Sequence, residues 1–225
     1  MGATSPSGKD RLLPTPRRLG DAKGRGRARS PYPSSLPEDV GVDFDGVDLT
    51  TEVVRTERLV LRPYRPDDVD AVHRACQDPA IQYWITAIPV PYTLEVARAF
   101  VEETTVLERA EGRGMSVAIE VDGELVGSSG LYPRPDGRLG PEIGYWVAPW
   151  ARGHGYAAEA ARGLADWALS HGAPRVHLFA DVRNTASLAA ARRAGFAQEG
   201  VVRSCLDYRD GTRGDAALFG RIAGE

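Results

Sequence analysis

The stretch Ile143-Gly144-Tyr145-Trp146-Val147-Ala148-Pro149-Trp150-Ala151-Arg152-Gly153-His154-Gly155-Tyr156-Ala157-Ala158 decides how this chain is read. Its apolar opening has the character of a strand, its glycine-bearing middle that of a tight turn, and Tyr156 onward that of a helix start. The first backbone N–H groups of a helix have no partner within it and lie at the positive end of the helix dipole. A turn of small residues at that point lets phosphate oxygens come close to those amides. The stretch is a phosphate cradle, and the rest of the chain must say for which ligand.

Working outward, Ala157, Ala161, Leu164, Ala165, Ala168 and Leu169 share one helical stripe that stops near Gly172. Val176 to Val182 reads as a strand, and the strand-helix-strand crossover makes it parallel to the one before the turn. A short helix from about Thr185 to Ala194 ends at Gly195, and Phe196–Arg203 and Arg213–Ile222 read as closing strands. Upstream, Val117–Val121 and Glu124–Gly127 flank Asp122-Gly123, the dipeptide of a two-residue hairpin turn, so this part of the sheet is antiparallel. A loop through Pro133, Pro135 and Gly137 follows it. Order is expected to begin with a half-buried strand over Glu57–Tyr64, where Leu59 and Leu61 alternate with Arg58, Val60 and Arg62. Pro66 with Asp67 and Asp68 opens a helix expected to fade before Pro79, and Thr93 caps a second helix through Val96, Phe100, Val101 and Leu107. Between them Tyr83 to Tyr92 reads as an aromatic, proline-rich connection. The expected fold class is α+β, with a twisted, mostly antiparallel mixed sheet of about seven strands and helices on both faces.

With 225 residues and 42% hydrophobic content the chain can bury one enzyme-sized core. No apolar run approaches the roughly 20 residues that span a bilayer, and no secretory signal is evident, so a soluble, cytoplasmic protein is expected. Cys76 and Cys205 stand far apart without metal-like spacing, which argues against a disulfide framework and a metal site. Residues 1–30 hold eight Lys or Arg and two Asp, a net +6, so the remainder carries −9 against a total of −3. An acidic body argues against specific nucleic-acid binding and would suit a cationic substrate, and the lack of an apolar span argues against a membrane partner. Residues 1–50, rich in Pro, Gly, Ser and Arg, read as a disordered basic leader, and 51–225 as the folded domain. The glycines and prolines there spoil the amphipathic helix of a transit peptide.

One competitor for the cradle is a dinucleotide fold, since Gly153-x-Gly155-x-x-Ala158 fits its loose fingerprint and Asp181 ends the next strand. In that fold the first glycine follows its strand almost at once, whereas Ala148 to Arg152 intervene here, and the chain after Asp181 is too short for the remaining parallel strands. A nucleoside-triphosphate loop would need Gly-Lys-Ser/Thr after the turn, which is missing.

Arg152-x-x-Gly155-x-Ala157 resembles the pyrophosphate signature of the GNAT superfamily of acetyl-CoA-dependent N-acetyltransferases. Asn184-x-x-Ser187, Arg192-Arg193-Ala194-Gly195-Phe196, Glu199-Gly200, Glu142-Ile143-Gly144-Tyr145-Trp146 and the Trp84–Tyr92 segment extend the resemblance in register over residues 56–222, and are similar to the ribosomal-protein-alanine branch. The resemblance implies a splayed pair of parallel strands, 143–147 and 176–182, holding acetyl-CoA without a metal. It implies that amides of Arg152, Gly153, His154, Gly155, Tyr156 and Ala157 hold the pyrophosphate. Backbone groups of Trp146, Val147 and Ala148 would then bind pantetheine and the thioester carbonyl, Asn184 the pantetheine chain, and Ser187 would lie near the sulfur. Asn184 equally reads as a plain helix cap.

The implied reaction is attack of a neutral primary amine on the thioester. An α-amine, with pKa near 8, needs less help to lose its proton than a lysine near 10.4. Three bases stay open: Glu142, which stands on the motif strand; Asp207, which matches an acidic position of the ribosomal-protein branch if one inserted residue is allowed; or water alone. The position seven residues after Asn184, where many members carry a tyrosine acid, is Ala191, and Ser187 takes that role by resemblance with Tyr208 as a fallback. Trp84 and Tyr92 could roof the acceptor pocket or simply pack the helices. His154 reads as a solvated side chain within the turn, and His73, His171 and His177 suggest no site. Ala191 and the open base support a second hypothesis, a non-catalytic acyl-CoA sensor or interaction module. The acceptor, a protein N-terminus or a small amine, is not spelled out, and a homodimer is left open.

Overall fold

A computed structural model describes residues 47–132 and 139–224. All but the last four residues of the expected leader, and the loop through Pro133, Pro135 and Gly137, lie outside the described residues. Leu49 is already buried in the core and Val47 packs against it, so the described domain starts ahead of the strand at 57–64.

Among the described residues eight strands form one sheet in the order β1-β2-β3-β4-β5-β6-β8-β7. They are β1 (Val54–Arg55), β2 (Val60–Arg62), β3 (Met115–Val121), β4 (Glu124–Tyr132), β5 (Glu142–Val147), β6 (Arg175–Asp181), β7 (Ala197–Asp207) and β8 (Arg213–Ile222). All pairings are antiparallel except β5 with β6. The β3–β4 hairpin turns through Asp122 at φ 50° and Gly123 at φ 86°, the two positive angles that the Asp-Gly pair foretells. Alternation along β3 sends Val117 and Ile119 into one core and Ala118 into another on the opposite face.

The larger core is closed by α5 (Tyr156–Ser170), which buries Ala160, Ala161, Leu164, Ala165 and Ala168 against Leu61, Val117, Ile143 and Phe219. Truncating Leu164, fully buried there, would cost about 2–5 kcal/mol. The opposite face carries α1 (Val69–Ala75), α2 (Pro79–Trp84) and a long helix made of α3 (Leu94–Ala99), a π-helical segment Phe100–Thr104 and α4 (Thr105–Ala110). Thr93 caps α3 through Val96 N–H at 3.3 Å, as its sequence position predicts. Arg62 and Asp68, both buried, pair at 2.7 and 2.9 Å and fix the start of α1 to β2. The remaining helix, α6 (Thr185–Arg193), follows β6.

The first helix ends at Ala75, but α2 stands where the sequence predicts that helical structure has faded. Its start is local chemistry: the Asp78 carboxylate accepts from Ile81 N–H at 2.9 Å, and Pro79 fills a first-turn position that needs no N–H. Read as a breaker, Pro79 hides the helix; read with Asp78, it announces one.

Candidate active site

The parallel pairing of β5 and β6 is confined to Glu142 opposite His177, where His177 N–H donates to the Pro141 carbonyl at 3.0 Å. Beyond that point the strands diverge toward Val147 and Asp181, and the V between them opens a cavity of about 460 Å³. The register of β5 on β4 determines what faces the gap. Ala148 N–H donates to Val126 O at 2.9 Å and Ser128 stands opposite Trp146, so alternation turns the peptide groups of Ala148, Trp146 and Gly144 toward β4. Those of Tyr145 and Val147 face the gap. Of the three residues read from the resemblance as backbone donors, Val147 is aimed there, and Ala148 spends its N–H on the sheet.

The glycine turn sits at the wide end. Gly153 and Gly155 have φ of 85° and 82°, conformations that side chains resist, and a Cβ on Gly153 would project into open space. No side chain caps α5, which starts at Tyr156, so its first amides are exposed to a ligand at the positive end of a 15-residue helix. A pyrophosphate fits this cradle. Arg152 is directed elsewhere: its guanidinium pairs with Asp78 at 2.6 Å and holds that carboxyl below its ordinary value. The cradle is thereby tied to the N-cap of α2. His154 is exposed, stacks on Tyr156 at 5.3 Å and gives its carbonyl to Arg58 at 3.1 Å.

Trp84, Trp146, Val147, Arg152, Gly153, Gly155, Tyr156, Ala157, Asn184 and Ser187 line this cavity; Ala148, His154, Tyr92, Glu142 and Asp207 do not. Asn184 caps α6 with its Oδ1, which accepts from Ser187 N–H at 3.1 Å, so capping and cavity lining coincide in one residue. Tyr92 is 5% exposed in the core under α1 and α3, where burial and Cys76 push its phenol up. Glu142 stands at the closed tip of the V, 3.9 Å from the Nε2 of fully buried His177. The Asp207 side chain is 78% exposed and pairs with Arg213 at 2.8 Å.

Sequence reasoning missed two features of the site. Tyr145 reaches across the gap from β5, its hydroxyl 3.1 Å from Ser187 Oγ. The second is a cluster at the mouth beside α2, of which the sequence offered only Trp84 and, as a fallback acid, Tyr208, which is not among the residues lining the cavity. Arg183 grips Asp181 at 3.0 Å and lies over the rings of Tyr208, Tyr83 and Trp84, while the Tyr208 hydroxyl donates to Asp181. Tyr83 and Tyr208 stack at 6.0 Å. Burial acts to raise the Asp181 carboxyl, but Arg183 outweighs it and holds the group below its ordinary value. Arg209, in the β7–β8 turn, donates to the carbonyls of Gln82, Ile85 and Ile88 at the end of α2. The signal was in the tripeptide Tyr208-Arg209-Asp210, but only tertiary structure shows what those side chains reach.

Residues 58–197 match the family model of the acetyltransferase (GNAT) domain. The chain belongs to the GNAT acetyltransferase family. YdaF of Bacillus subtilis, named provisionally as a ribosomal N-acetyltransferase, is 26% identical over 172 residues, 75% of this chain and 93% of that protein. The solved structure of Mycobacterium smegmatis RimJ in complex with CoA-disulfide is 27% identical with a TM-score of 0.68, covering 76% of this chain and 88% of that one. The microcin C7 self-immunity acetyltransferase MccE, solved with acetyl-CoA and AMP, shares the fold at 18% identity and a TM-score of 0.66, over 74% and 93% of the two chains. This GNAT protein is an acetyl-CoA-dependent N-acetyltransferase. Among the described residues no His/Cys/Asp/Glu group could hold a metal ion, and no helix is long and apolar enough to cross a membrane.

Proposed function

We propose that this acetyltransferase modifies the α-amine of a protein N-terminus, in the cytoplasm. The observation that carries the reading is the lining of the cavity: among the described residues, none that line it is Asp or Glu. An acceptor there has no carboxylate in contact to take its proton and must arrive largely neutral. Near pH 7.4 an α-amine is roughly a quarter neutral, a lysine side chain about one part in a thousand. YdaF, the relative named provisionally as a ribosomal N-acetyltransferase, supports the same class of acceptor.

In this reading acetyl-CoA supplies the activated acetyl group, and the chain supplies position and dipoles. The Gly153–Ala157 turn and the start of α5 bind the pyrophosphate, the gap-facing peptide groups of Tyr145 and Val147 align pantetheine and polarise the thioester carbonyl, and Asn184 holds the pantetheine amides. Ser187 faces the sulfur. The acceptor enters from the side of α2 and the β7–β8 turn, past Trp84. Holding two reactants in line contributes more than a weak base would. With Glu142 at the closed tip and Asp207 turned to solvent, the amine proton leaves through water.

The test is thiol release with two peptides of one sequence, one with a free α-amine and blocked lysine, the other the reverse. The α-amine peptide is expected to be acetylated at least about 100-fold more efficiently. Equal use of both, or exclusive use of the lysine, contradicts the reading.

A further inference from the structure

The Tyr145–Ser187 contact is a hydroxyl pair that bridges the two arms of the V. Tyr145 stands on β5, and its hydroxyl donates to the Ser187 carbonyl oxygen on α6 at 3.2 Å and lies 3.1 Å from Ser187 Oγ, a contact in which either hydroxyl can be the donor. Both side chains line the cavity beside Asn184. Burial raises the Tyr145 phenol above its ordinary value against the Ser187 hydrogen bond, so it stays a proton-bearing donor at neutral pH. Ser187 lies in the first turn of α6, where a serine hydroxyl left to itself turns back to bond nearby backbone. Ala191, one turn further on, is fully buried in the core and offers no hydroxyl.

We propose that Tyr145 is a positioning residue for Ser187: its one hydrogen is shared between the Ser187 carbonyl and Ser187 Oγ, which leaves the serine hydrogen aimed into the cavity, at the sulfur that departs. A hydroxyl carries one hydrogen, so an Oγ that accepts from Tyr145 has its own hydrogen free for a ligand. When the amine nitrogen bonds to the acetyl carbon, the carbon–sulfur bond breaks and its electron pair leaves on sulfur. The hydrogen bond from Ser187 stabilises that charge. One proton lost by the amine nitrogen and one gained by the thiolate balance the exchange, and neither hydroxyl is consumed. The inference rests on the reading that Ser187 faces the sulfur.

The experiment titrates the thiol of bound coenzyme A by thiolate absorbance in the parent, Tyr145→Phe, Ser187→Ala and the double variant, alongside kcat, KM and thermal midpoint. A hydrogen bond to the thiolate lowers the thiol pKa, so each single variant is expected to raise it by roughly 0.5–1 unit. Each single variant is also expected to lower kcat about tenfold, with the double variant no worse than either and KM for acetyl-CoA within about twofold. If Ser187→Ala shifts the thiol and Tyr145→Phe does not, the positioning role is overturned while Ser187 keeps its place. If Ser187→Ala leaves the thiol at its parental value, the reading beneath the inference fails. Additive losses, or a lower thermal midpoint for Tyr145→Phe with an unshifted thiol, assign the tyrosine to packing and also overturn the proposal.

Discussion

On the side of the gap proposed for the cofactor the groups free to face a ligand are mostly backbone: the turn around Gly153 and Gly155, the uncapped start of α5 and the peptide groups of Tyr145 and Val147. On the side proposed for the acceptor they are side chains borrowed from distant segments. α2 is held at its N-terminus by Asp78 with Arg152, at its C-terminus by Arg209, and along its aromatic face by Arg183. A backbone site is set by local conformation, so it survives most side-chain changes and fails when the turn itself is altered. A wall of clamped side chains fails piecemeal, and each loss should alter acceptor use more than cofactor affinity.

The largest expected effect breaks the backbone half. Gly155→Val puts a branched side chain at φ 82° in the cradle, a conformation costing about 1–3 kcal/mol before any contact with phosphate is counted. Calorimetric titration with coenzyme A is expected to show affinity reduced at least about 100-fold. Next, the Arg183→Ala, Arg209→Ala double variant should lower kcat/KM for the peptide acceptor roughly tenfold through loss of positioning, with coenzyme A affinity within about twofold. Equal losses on both sides would erase the distinction between the walls.

Asp78→Ala probes the joint between them, because that carboxylate caps α2 and pairs with Arg152. A lost cap costs about 1 kcal/mol, so both KM values are expected to rise about threefold to fivefold. The acceptor wall also carries a pH signature. Asp181 has a folded-state pKa below its ordinary 3.8, so its contribution to stability is present above that value and disappears as pH falls through the folded-state pKa. Asp181→Asn should therefore lower the thermal midpoint at pH 7, with the gap to the parent closing in acid. The smallest effects belong to carboxylates outside the cavity: Glu142→Gln and Asp207→Asn are each expected to keep kcat within about threefold.

The same contrast explains what could be read in advance. The cradle, the Asp122-Gly123 hairpin, the parallel crossover and the Asn184 cap are all written in short contiguous stretches, where spacing alone fixes geometry. Glu142 shows the limit of that reading, since strand position says little about which end of a splayed pair a side chain occupies, and Asp207, at the end of β7, turns to solvent and Arg213. Trp84 and Tyr92 bound one connection in the sequence, yet one lines the cavity and the other lies in the core. Tyr145 sat inside the opening motif unremarked, because its partner Ser187 is 42 residues away. Arg183 and Arg209 depend on contacts across the fold, with Arg209 bonded to carbonyls more than 120 residues distant in sequence.

The central claim, that the gap joins a fixed acetyl-CoA cradle to a wall admitting a neutral α-amine, is tested most directly within one acceptor molecule. A peptide with both a free N-terminus and a free lysine is incubated with the protein and acetyl-CoA near pH 7.4, and tandem mass spectrometry locates the acetyl group. The expected result is acetyl on the N-terminal nitrogen, with the lysine unmodified at first turnover. Acetyl on the lysine, or an untouched peptide while a small polyamine consumes acetyl-CoA, would contradict the account.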